Sequence, residues 1–448
     1  MNSSRFLLLS FALAIVVGGV LLALPVASTG DPLPLVDALF MATSAVCVTG
    51  LSVLDIGSGC SRFGQAVILV LVQVGGLGIM TLSSMLLTML GQRVSLNRQD
   101  GVTQTYTSAH GDRFGTLLKR IFLATFAIEL CGALALFSVE SERLPLGQAA
   151  WYATFHAISA FCNAGMSLRL DNFIGFRDHF PVLSILSLLI VTGGLGFTVL
   201  AELFAAMVQR LRRLPPTVMT LHTKLCLGMT ALLLVFGMLA YLFLESRASL
   251  SGLPLRERLL TSFFASVTAR TAGFNVVEYS QLTIPTLLLT MLLMLIGGCP
   301  GSTAGGIKTT TLGVMLAMLR SRFHAEQEVS LFHRTIPAST VARATALTVF
   351  AVLMIVVAAF ALIASEMGTE PYRDSSGVGL GLLFETVSAF CTVGLSTGLT
   401  AGLSVPGKII VMLLMYVGRL GPLTVAVAVA QRQPRRTIRY VEEQVMIG

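Results

Sequence analysis

Four short segments of the chain share a pattern of residues whose backbone could coordinate a bare cation. Glycine at a fixed place lets each backbone take conformations that other residues cannot take, and four such segments around one axis would form rings of carbonyl oxygens. Rings of this kind replace the hydration shell of an alkali cation. The segments read SAVCVTGL (44–51), SAFCNAGM (159–166), VTARTAGF (267–274) and SAFCTVGL (388–395). The glycines at the shared position are Gly50, Gly165, Gly273 and Gly394.

The two residues before each glycine carry no charge. Neutral dipoles favour a monovalent cation, because calcium and magnesium prefer carboxylate ligands. The sequence therefore predicts that these residues and the four glycines bind a monovalent cation, and that this is the protein's only metal. The preceding pairs are Val48 and Thr49, Asn163 and Ala164, Thr271 and Ala272, and Thr392 and Val393.

A second glycine motif follows each of these segments. Two independent motifs that recur four times in the same order indicate four tandem repeats of about 110 residues. We place the repeats at 1–91, 92–208, 209–320 and 321–448, with linkers before the second, third and fourth and a tail after the last. The second motif reads VGGLG (74–78), TGGLG (192–196), IGGCPG (296–301) and VGRLG (417–421).

Composition predicts the class of protein. Of the 448 residues, 54% are hydrophobic and 12% are charged. A soluble domain needs more charge than this, and a disordered chain has fewer apolar residues. Apolar stretches long enough to cross a bilayer recur along the chain, so we predict an all-α polytopic membrane protein.

Each repeat is expected to contain three elements. A long apolar helix comes first, then a short helix that cannot span a bilayer and ends at the first glycine motif, then a second long helix. The first helices are predicted at 6–27, 116–139, 221–244 and 344–365. The short helices are predicted at 35–47, 148–162, 256–269 and 379–391. The second long helices are predicted at 64–90, 182–208, 283–320 and 408–430.

Basic residues predict the orientation. Most of the 30 Lys and Arg residues fall in the N-terminus, the linkers between repeats and the C-terminal tail. Because cytoplasmic segments of membrane proteins are enriched in these residues, both termini are predicted to be cytoplasmic.

Together these motifs resemble the Trk/Ktr/HKT superfamily of potassium transporters over essentially the whole chain. Thr392–Val393–Gly394 resembles the start of the potassium-channel filter TVGYG, and glycine in all four loops resembles the potassium-selective members. The compact length is most similar to the Ktr membrane subunit. The resemblance implies a potassium-channel-like pseudo-tetramer around a central pore, which takes up potassium across the bacterial plasma (inner) membrane.

The same resemblance implies several partners. These are a second copy of the chain in a homodimer, a cytosolic ring of nucleotide-binding (RCK-type) regulatory subunits, the lipid bilayer, and sodium as an activator or symported ion. It implies no covalent cofactor. The chain itself is expected to bind neither nucleotide nor nucleic acid.

The third repeat departs from its own pattern. Pro300 and the glycines around it cannot sustain a straight helix. The segment resembles the family's intramembrane gating loop, and a passive helix kink is the alternative. A phosphate-binding P-loop fits poorly, because Lys308 falls one place late after Gly306 and no strand precedes. The residues expected to gate are Gly297, Gly298, Pro300, Gly301, Ser302, Thr303, Ala304, Gly305, Gly306 and Lys308, together with Arg419.

Arg419 stands where the other repeats have Gly76, Gly194 and Gly298. A charge at membrane depth is costly and normally faces a partner or a water-filled cavity. We expect it below the filter, bonded to carbonyls of the gating loop as the resemblance implies, with a structural salt bridge as the alternative.

Other polar residues at membrane depth are expected to have structural roles. Arg270 is predicted to support the third loop by pairing with an outer acid such as Glu385. Glu129 and Glu202 are predicted to make interhelical or interfacial contacts, and His156 is predicted to be a packing residue with its hydrogen bonds satisfied.

Two further function classes were weighed. An alternating-access secondary carrier for another monovalent cation would also have broken helices, but usually from inverted repeats, whereas these four run in parallel. An intramembrane enzyme would need a catalytic constellation, and the sequence contains neither HExxH nor G-x-S-x-G. We therefore expect a pore rather than a carrier, and no enzymatic activity.

Overall fold

The computed structural model describes residues 3–78, 114–213, 219–326, 328–368, 371 and 377–421. Within these residues the fold consists of helices and one hairpin of two-residue strands, β1 (Ser330–Leu331) and β2 (Arg334–Thr335). Parts of the predicted second helices at 64–90 and 408–430, the boundary between residues 91 and 92, and the C-terminal tail lie outside the described residues.

The helices follow the predicted repeat. In the first repeat they are α1 (Ser3–Ala23), α2 (Leu35–Val46), α3 (Ile56–Gly59) and α4 (Arg62–Leu77). In the second they are α5 (Phe114–Glu140), α6 (Leu146–Phe161), α7 (Phe180–Leu195) and α8 (Phe197–Leu211). In the third they are α9 (Leu221–Leu244), α10 (Leu255–Thr268), α11 (Ile284–Leu295) and α12 (Thr309–Phe323). In the fourth they are α13 (Ala338–Met367), α14 (Val378–Phe390) and α15 (Val405–Leu420).

Three of the described helices are long and apolar enough to cross a membrane alone: Lys119–Glu140 within α5, α9, and α13. Their outer faces carry exposed apolar side chains such as Leu123 on α5 and Phe360 on α13, which are 68% and 78% exposed. Such faces suit a lipid environment and not water. The predicted all-α polytopic membrane fold with four repeats is confirmed.

The short helices α2, α6, α10 and α14 lie within two residues of their predicted bounds. Three of them begin directly after a proline, at Pro34, Pro145 and Pro254. Proline fixes φ and has no N–H to continue a preceding turn, so a helix can begin after it. The ends of these helices that lead into the glycine motifs are buried, and they point the glycine loops into the interior.

The second helices are less regular than predicted. The predicted helix at 182–208 is two helices, α7 and α8, bent by 106° at Gly196. Gly196 has a φ of 84°, outside the helical range, so no continuous helix can pass through it. In the third repeat the predicted break separates α11 from α12. In the first and fourth repeats Gly78 and Gly421 directly follow α4 and α15 and have φ of 75° and 82°, similar to Gly196.

Two apolar clusters surround the short helices. One joins the first and second repeats through residues such as Met41 and Phe161, and the other joins the third and fourth through residues such as Met294 and Phe390. Burial of large apolar side chains between the repeats holds the glycine loops in the centre of the protein.

Candidate cation filter and gate

The four glycine loops share an unusual backbone. Each glycine at the common position has a positive φ, and so does the residue two places before it. Positive φ is rare for residues other than glycine and costs free energy, so the surrounding structure must impose it. Alternating the sign of φ turns successive carbonyl groups to the same side of the chain. The glycines have φ of 100° (Gly50), 65° (Gly165), 77° (Gly273) and 89° (Gly394), and the earlier residues have φ of 54° (Val48), 59° (Asn163), 65° (Thr271) and 50° (Thr392).

The loops meet in a closed ring, which we call the glycine ring. Each glycine lies against the carbonyl oxygen of the residue that precedes the glycine in the next repeat, in the order first, second, third, fourth and first again. A Cβ atom at Gly50 would lie 2.3 Å from the oxygen of Ala164, at Gly165 2.6 Å from that of Ala272, at Gly273 2.4 Å from that of Val393, and at Gly394 2.2 Å from that of Thr49. The structure thus brings all twelve predicted filter residues together, and no side chain fits at the four glycines.

Serine hydroxyls on the short helices support the ring. The hydroxyl of Ser44 accepts a hydrogen bond from the backbone N–H of Gly50 at 3.1 Å, and Ser388 accepts one from Gly394 at 3.1 Å. In the third repeat valine replaces this serine, and the hydroxyl of the adjacent Thr268 instead donates to the Phe274 carbonyl at 2.8 Å. The motif departs from its pattern in the third repeat, but a neighbouring hydroxyl supports that loop.

The second glycine motif allows a close approach that sequence reasoning missed. Gly75, Gly193 and Gly418 pack on the last turn of the short helix of their own repeat. A Cβ at these positions would lie 2.1, 1.9 and 1.8 Å from the carbonyl oxygens of Val46, Phe161 and Phe390. The signal was in the sequence, since all four motifs keep this first glycine.

The third repeat places a loop, Gly297–Gly306, directly beneath the glycine ring. Its neck is closed by two backbone hydrogen bonds, from Gly297 N to the Ile307 carbonyl at 2.9 Å and from Ile307 N to the Leu295 carbonyl at 3.0 Å. A Cβ at Gly305 would lie 2.0 Å from the Thr392 hydroxyl oxygen, so the loop touches the fourth filter segment.

The loop also occupies the break in the second repeat. Cys299 N donates to the Gly194 carbonyl at 2.9 Å, and the Thr303 hydroxyl donates to the Phe161 carbonyl at 3.1 Å. A Cβ at Gly196 would lie 2.7 Å from the Pro300 carbonyl oxygen. A straight continuation of α7 beyond Gly196 would therefore collide with this loop.

Three cationic side chains, Arg419, Lys308 and Arg270, bond to carbonyls of this loop. Arg419 donates to the Thr303 carbonyl, and Lys308 donates to the Ala304 carbonyl at 2.6 Å. Arg419 also donates to the Gly75 carbonyl at 2.6 Å. The expected contact of Arg419 with the loop is present, and its second bond, to the first repeat, was not foreseen. Its role in gating stays a prediction.

The predicted pairing of Arg270 with Glu385 is wrong. Arg270 donates to the Gly297 carbonyl at 3.3 Å, at the neck of the loop. Glu385 instead accepts hydrogen bonds from the Ser396 hydroxyl at 2.6 Å and the Thr400 hydroxyl at 2.6 Å. Arg270 follows the end of its short helix, whereas Glu385 lies in the middle of α14, so the two residues face opposite ends of the ring.

The remaining polar predictions are confirmed. Gln73 on α4 donates to the Glu129 carboxylate on α5 at 3.0 Å, and the backbone N–H of Thr220 donates to Glu202 at 2.9 Å. Both acids thus bridge helices, as expected. His156 has both ring nitrogens within hydrogen-bond distance of partners, at 2.8 Å from the Tyr152 carbonyl and 3.0 Å from the Ser167 hydroxyl.

Known proteins resemble this chain over nearly its whole length. It is 37% identical to the potassium/sodium uptake protein NtpJ of Enterococcus hirae, over 98% of this chain and 95% of that protein. It is 38% identical to the Ktr system potassium uptake protein B of Vibrio alginolyticus, over 99% of this chain and 94% of that protein. The crystal structure of the potassium transporter TrkH from Vibrio parahaemolyticus matches 96% of this chain and 85% of its own with a TM-score of 0.73. At 17% identity, that likeness concerns the fold.

These relatives are transport proteins, which confirms the prediction that the chain is not an enzyme. Residues 11–439 match the TrkH family, whose description is cation transport protein. The match spans all four repeats and both glycine motifs, and the chain therefore belongs to the TrkH family of cation transport proteins.

Proposed function

We propose that this protein takes up potassium across the bacterial plasma (inner) membrane through the glycine ring. The observation that carries the proposal is the closure of the ring, in which each of the four loops contacts the next through a glycine and a carbonyl oxygen. The names of the 37% and 38% identical relatives, which describe potassium uptake, support the choice of ion.

The ring acts as the selectivity filter in this proposal. Carbonyl oxygens of Val48–Gly50, Asn163–Gly165, Thr271–Gly273 and Thr392–Gly394 replace the water around potassium. The hydrogen bonds that Ser44 and Ser388 accept from the N–H groups of Gly50 and Gly394 support this role. They limit the movement of the backbone, so that the ring cannot contract around a smaller ion.

The Gly297–Gly306 loop is the gate, and Arg419 and Lys308 hold it closed. Both cations bond to adjacent carbonyls, at Thr303 and Ala304, so the middle of the loop is tied from two sides. The positive charges also oppose the passage of a cation while they remain beneath the ring.

The wider assembly follows from the relatives. One is named for potassium and sodium, which supports uptake that depends on sodium or is coupled to it. Others belong to a named Ktr system, which supports a partner subunit. We assign that role to a cytosolic ring of nucleotide-binding (RCK-type) subunits, which binds a homodimer of this chain on the side of the cytoplasmic termini.

Uptake of radioactive rubidium into liposomes that contain the purified protein tests the proposal. External potassium is expected to compete at concentrations at least about tenfold lower than sodium, because the ring is built for the larger ion. Gly402→Ser is the control, since a side chain at Gly402 meets nothing within 4 Å. Equal competition by the two ions, or rubidium uptake no greater than in protein-free liposomes, would reject a potassium filter.

A further inference from the structure

One position on the short helices distinguishes the repeats. Nine residues before each ring glycine lies a buried side chain. In the second and fourth repeats this residue is polar, although it is only 2% and 0% exposed. A polar group buried this deeply is retained at a cost unless its hydrogen bonds are made. The residues are Met41, His156, Phe264 and Glu385.

His156 binds the loop that follows Gly165. Its Nε2 atom lies 3.3 Å from the backbone N–H of Leu168, which can only donate, and 3.0 Å from the Ser167 hydroxyl. Nε2 is therefore the acceptor, and Nδ1 carries the proton and donates to the Tyr152 carbonyl at 2.8 Å. The imidazole of His156 thus links α6 to Ser167 and Leu168, the second and third residues after Gly165.

Glu385 binds the equivalent loop after Gly394. One carboxylate oxygen accepts from the Ser396 hydroxyl at 2.6 Å and from the backbone N–H of Thr397 at 2.9 Å. The other accepts from the Thr400 hydroxyl at 2.6 Å. The second and third residues after the glycine are again held, here by bonds to a charged group, which are the stronger kind.

The first and third repeats lack this link. In the first repeat the Ser52 hydroxyl faces the Met41 sulfur at 3.4 Å, a weak acceptor. In the third, the equivalent residue is Phe264 and the loop residue is Asn275. Because the loops close in repeat order, the second and fourth repeats lie opposite each other across the ring. The two polar links therefore hold opposite sides of it.

We propose that His156 and Glu385 are positioning residues that fix the outer end of the glycine ring and set its preference for potassium over sodium. The proposal rests on the potassium filter described above. Each link fixes the second and third residues after a ring glycine, so its loss lets the carbonyl groups on that side of the ring move inward. A ring that can contract binds the smaller sodium ion better, and discrimination falls.

The experiment measures rubidium uptake into liposomes and its competition by potassium and sodium. Glu385→Met and His156→Leu place apolar side chains where the first and third repeats already have them. We expect each to lower the potassium preference about tenfold, the effect of one bond to a charged or imidazole group.

Two conservative variants and a matched control separate positioning from stability. Glu385→Gln keeps an amide oxygen for Ser396 and Thr397 and is expected to lose about threefold in preference, as is His156→Gln. The control is Glu245→Met. Glu245 is 0% exposed and accepts bonds from the Ser249 N–H at 3.1 Å and the Thr283 hydroxyl at 2.8 Å, away from the ring. It should keep the wild-type preference whatever it does to stability.

Wild-type preference in both Glu385→Met and His156→Leu would overturn the proposal, and so would an equal loss in Glu245→Met. If the apolar variants do not fold, wild-type preference in both glutamine variants overturns it. The wild-type protein is measured before any variant. If it does not prefer potassium over sodium, the proposed potassium filter is itself rejected.

Discussion

The glycine ring and the layer of second glycine motifs beneath it (74–78, 192–196, 296–301 and 417–421) come from the same fourfold repeat, yet only the ring is alike in all four repeats. In the ring, all four loops repeat the same two positive φ angles and the same contact with the next loop. In the layer beneath, three repeats share a positive φ at Gly78 (75°), Gly196 (84°) and Gly421 (82°), whereas the third repeat forms the long loop Gly297–Gly306. Arg419 adds a charge in one repeat alone.

The difference has a physical reason. Coordination of a spherical ion needs donors from every side, so a change in any one loop disturbs the whole ring. A gate needs one element that can move while the others stay fixed, and that element must differ from its equivalents. A substitution in the ring should therefore alter selectivity whichever repeat carries it. A substitution in the layer should alter flux only at the particular residues that form the gate.

The largest effect is expected in the ring. Serine at Gly50 or at Gly394 would have to adopt a φ of 100° or 89° and would place Cβ within about 2.3 Å of a carbonyl oxygen of the next loop. The strain alone costs about 1–3 kcal/mol, and the backbone must also shift. We expect potassium and sodium to compete with rubidium uptake at similar concentrations.

Gly252→Ser is the matched control for strain, because Gly252 also has a positive φ, of 76°, but no neighbour within 4 Å of a Cβ atom. It should retain the preference. Unchanged selectivity in serine variants of all four ring glycines would contradict the filter, and a change from only one of them would contradict its symmetry.

The next effect concerns the loop. Deleting Ser302–Ala304 removes both carbonyls that Arg419 and Lys308 hold. Each charge-assisted bond is worth about 1.5–3 kcal/mol, so we expect basal rubidium flux to rise by about a hundredfold and to lose its dependence on a regulatory subunit. Flux is compared with wild type at matched protein levels, with and without the regulatory subunit. A folded deletion variant with normal, regulated flux would place the gate elsewhere.

Much of this arrangement could be predicted from the sequence, and the ring more fully than the layer. Repetition aligned the loops and the short helices, because the same contacts recur in every repeat. The bend at Gly196 could not be predicted from the TGGLG motif, since glycine is tolerated within a helix as well as at its end. Here it is the Pro300 carbonyl, from another repeat, that leaves no room for a side chain at Gly196.

Tertiary contacts also explain the errors at single residues. Arg270 was expected to pair with an outer acid such as Glu385, but the structure supplies a backbone partner to Arg270 and hydroxyl partners to Glu385. Arg419 bonds to the Gly75 carbonyl, and no sequence pattern marks one backbone carbonyl among many. Partners of unique residues depend on tertiary contacts that repetition cannot reveal.

A smaller effect is expected from Arg419. Arg419→Ala removes the bond to Thr303 and the positive charge beneath the ring, and both changes favour flux. We expect basal flux to rise about tenfold or more, with weaker regulation. Arg419→Lys should restore regulation only in part, because lysine keeps the charge but lacks the planar fork that reaches both Thr303 and Gly75. Flux is measured for both variants at matched protein levels, and a well-folded alanine variant with flux at or below wild type would contradict the gating role.

The smallest effect tests the symmetry of the ring through its supports. Ser44→Ala and Ser388→Ala each remove one neutral hydrogen bond to a ring glycine. Such a bond contributes about 1 kcal/mol, so each variant should lose about fivefold in potassium preference, and the two losses should agree because the contacts have the same length. Ser262→Ala is the control: its hydroxyl is buried on a short helix and donates to the Arg258 carbonyl, away from the ring. Competition of potassium and sodium with rubidium uptake measures all three variants. Losses that differ strongly between Ser44 and Ser388 would mean that the repeats contribute unequally, and the likeness of the four loops would then be one of backbone shape and not of function.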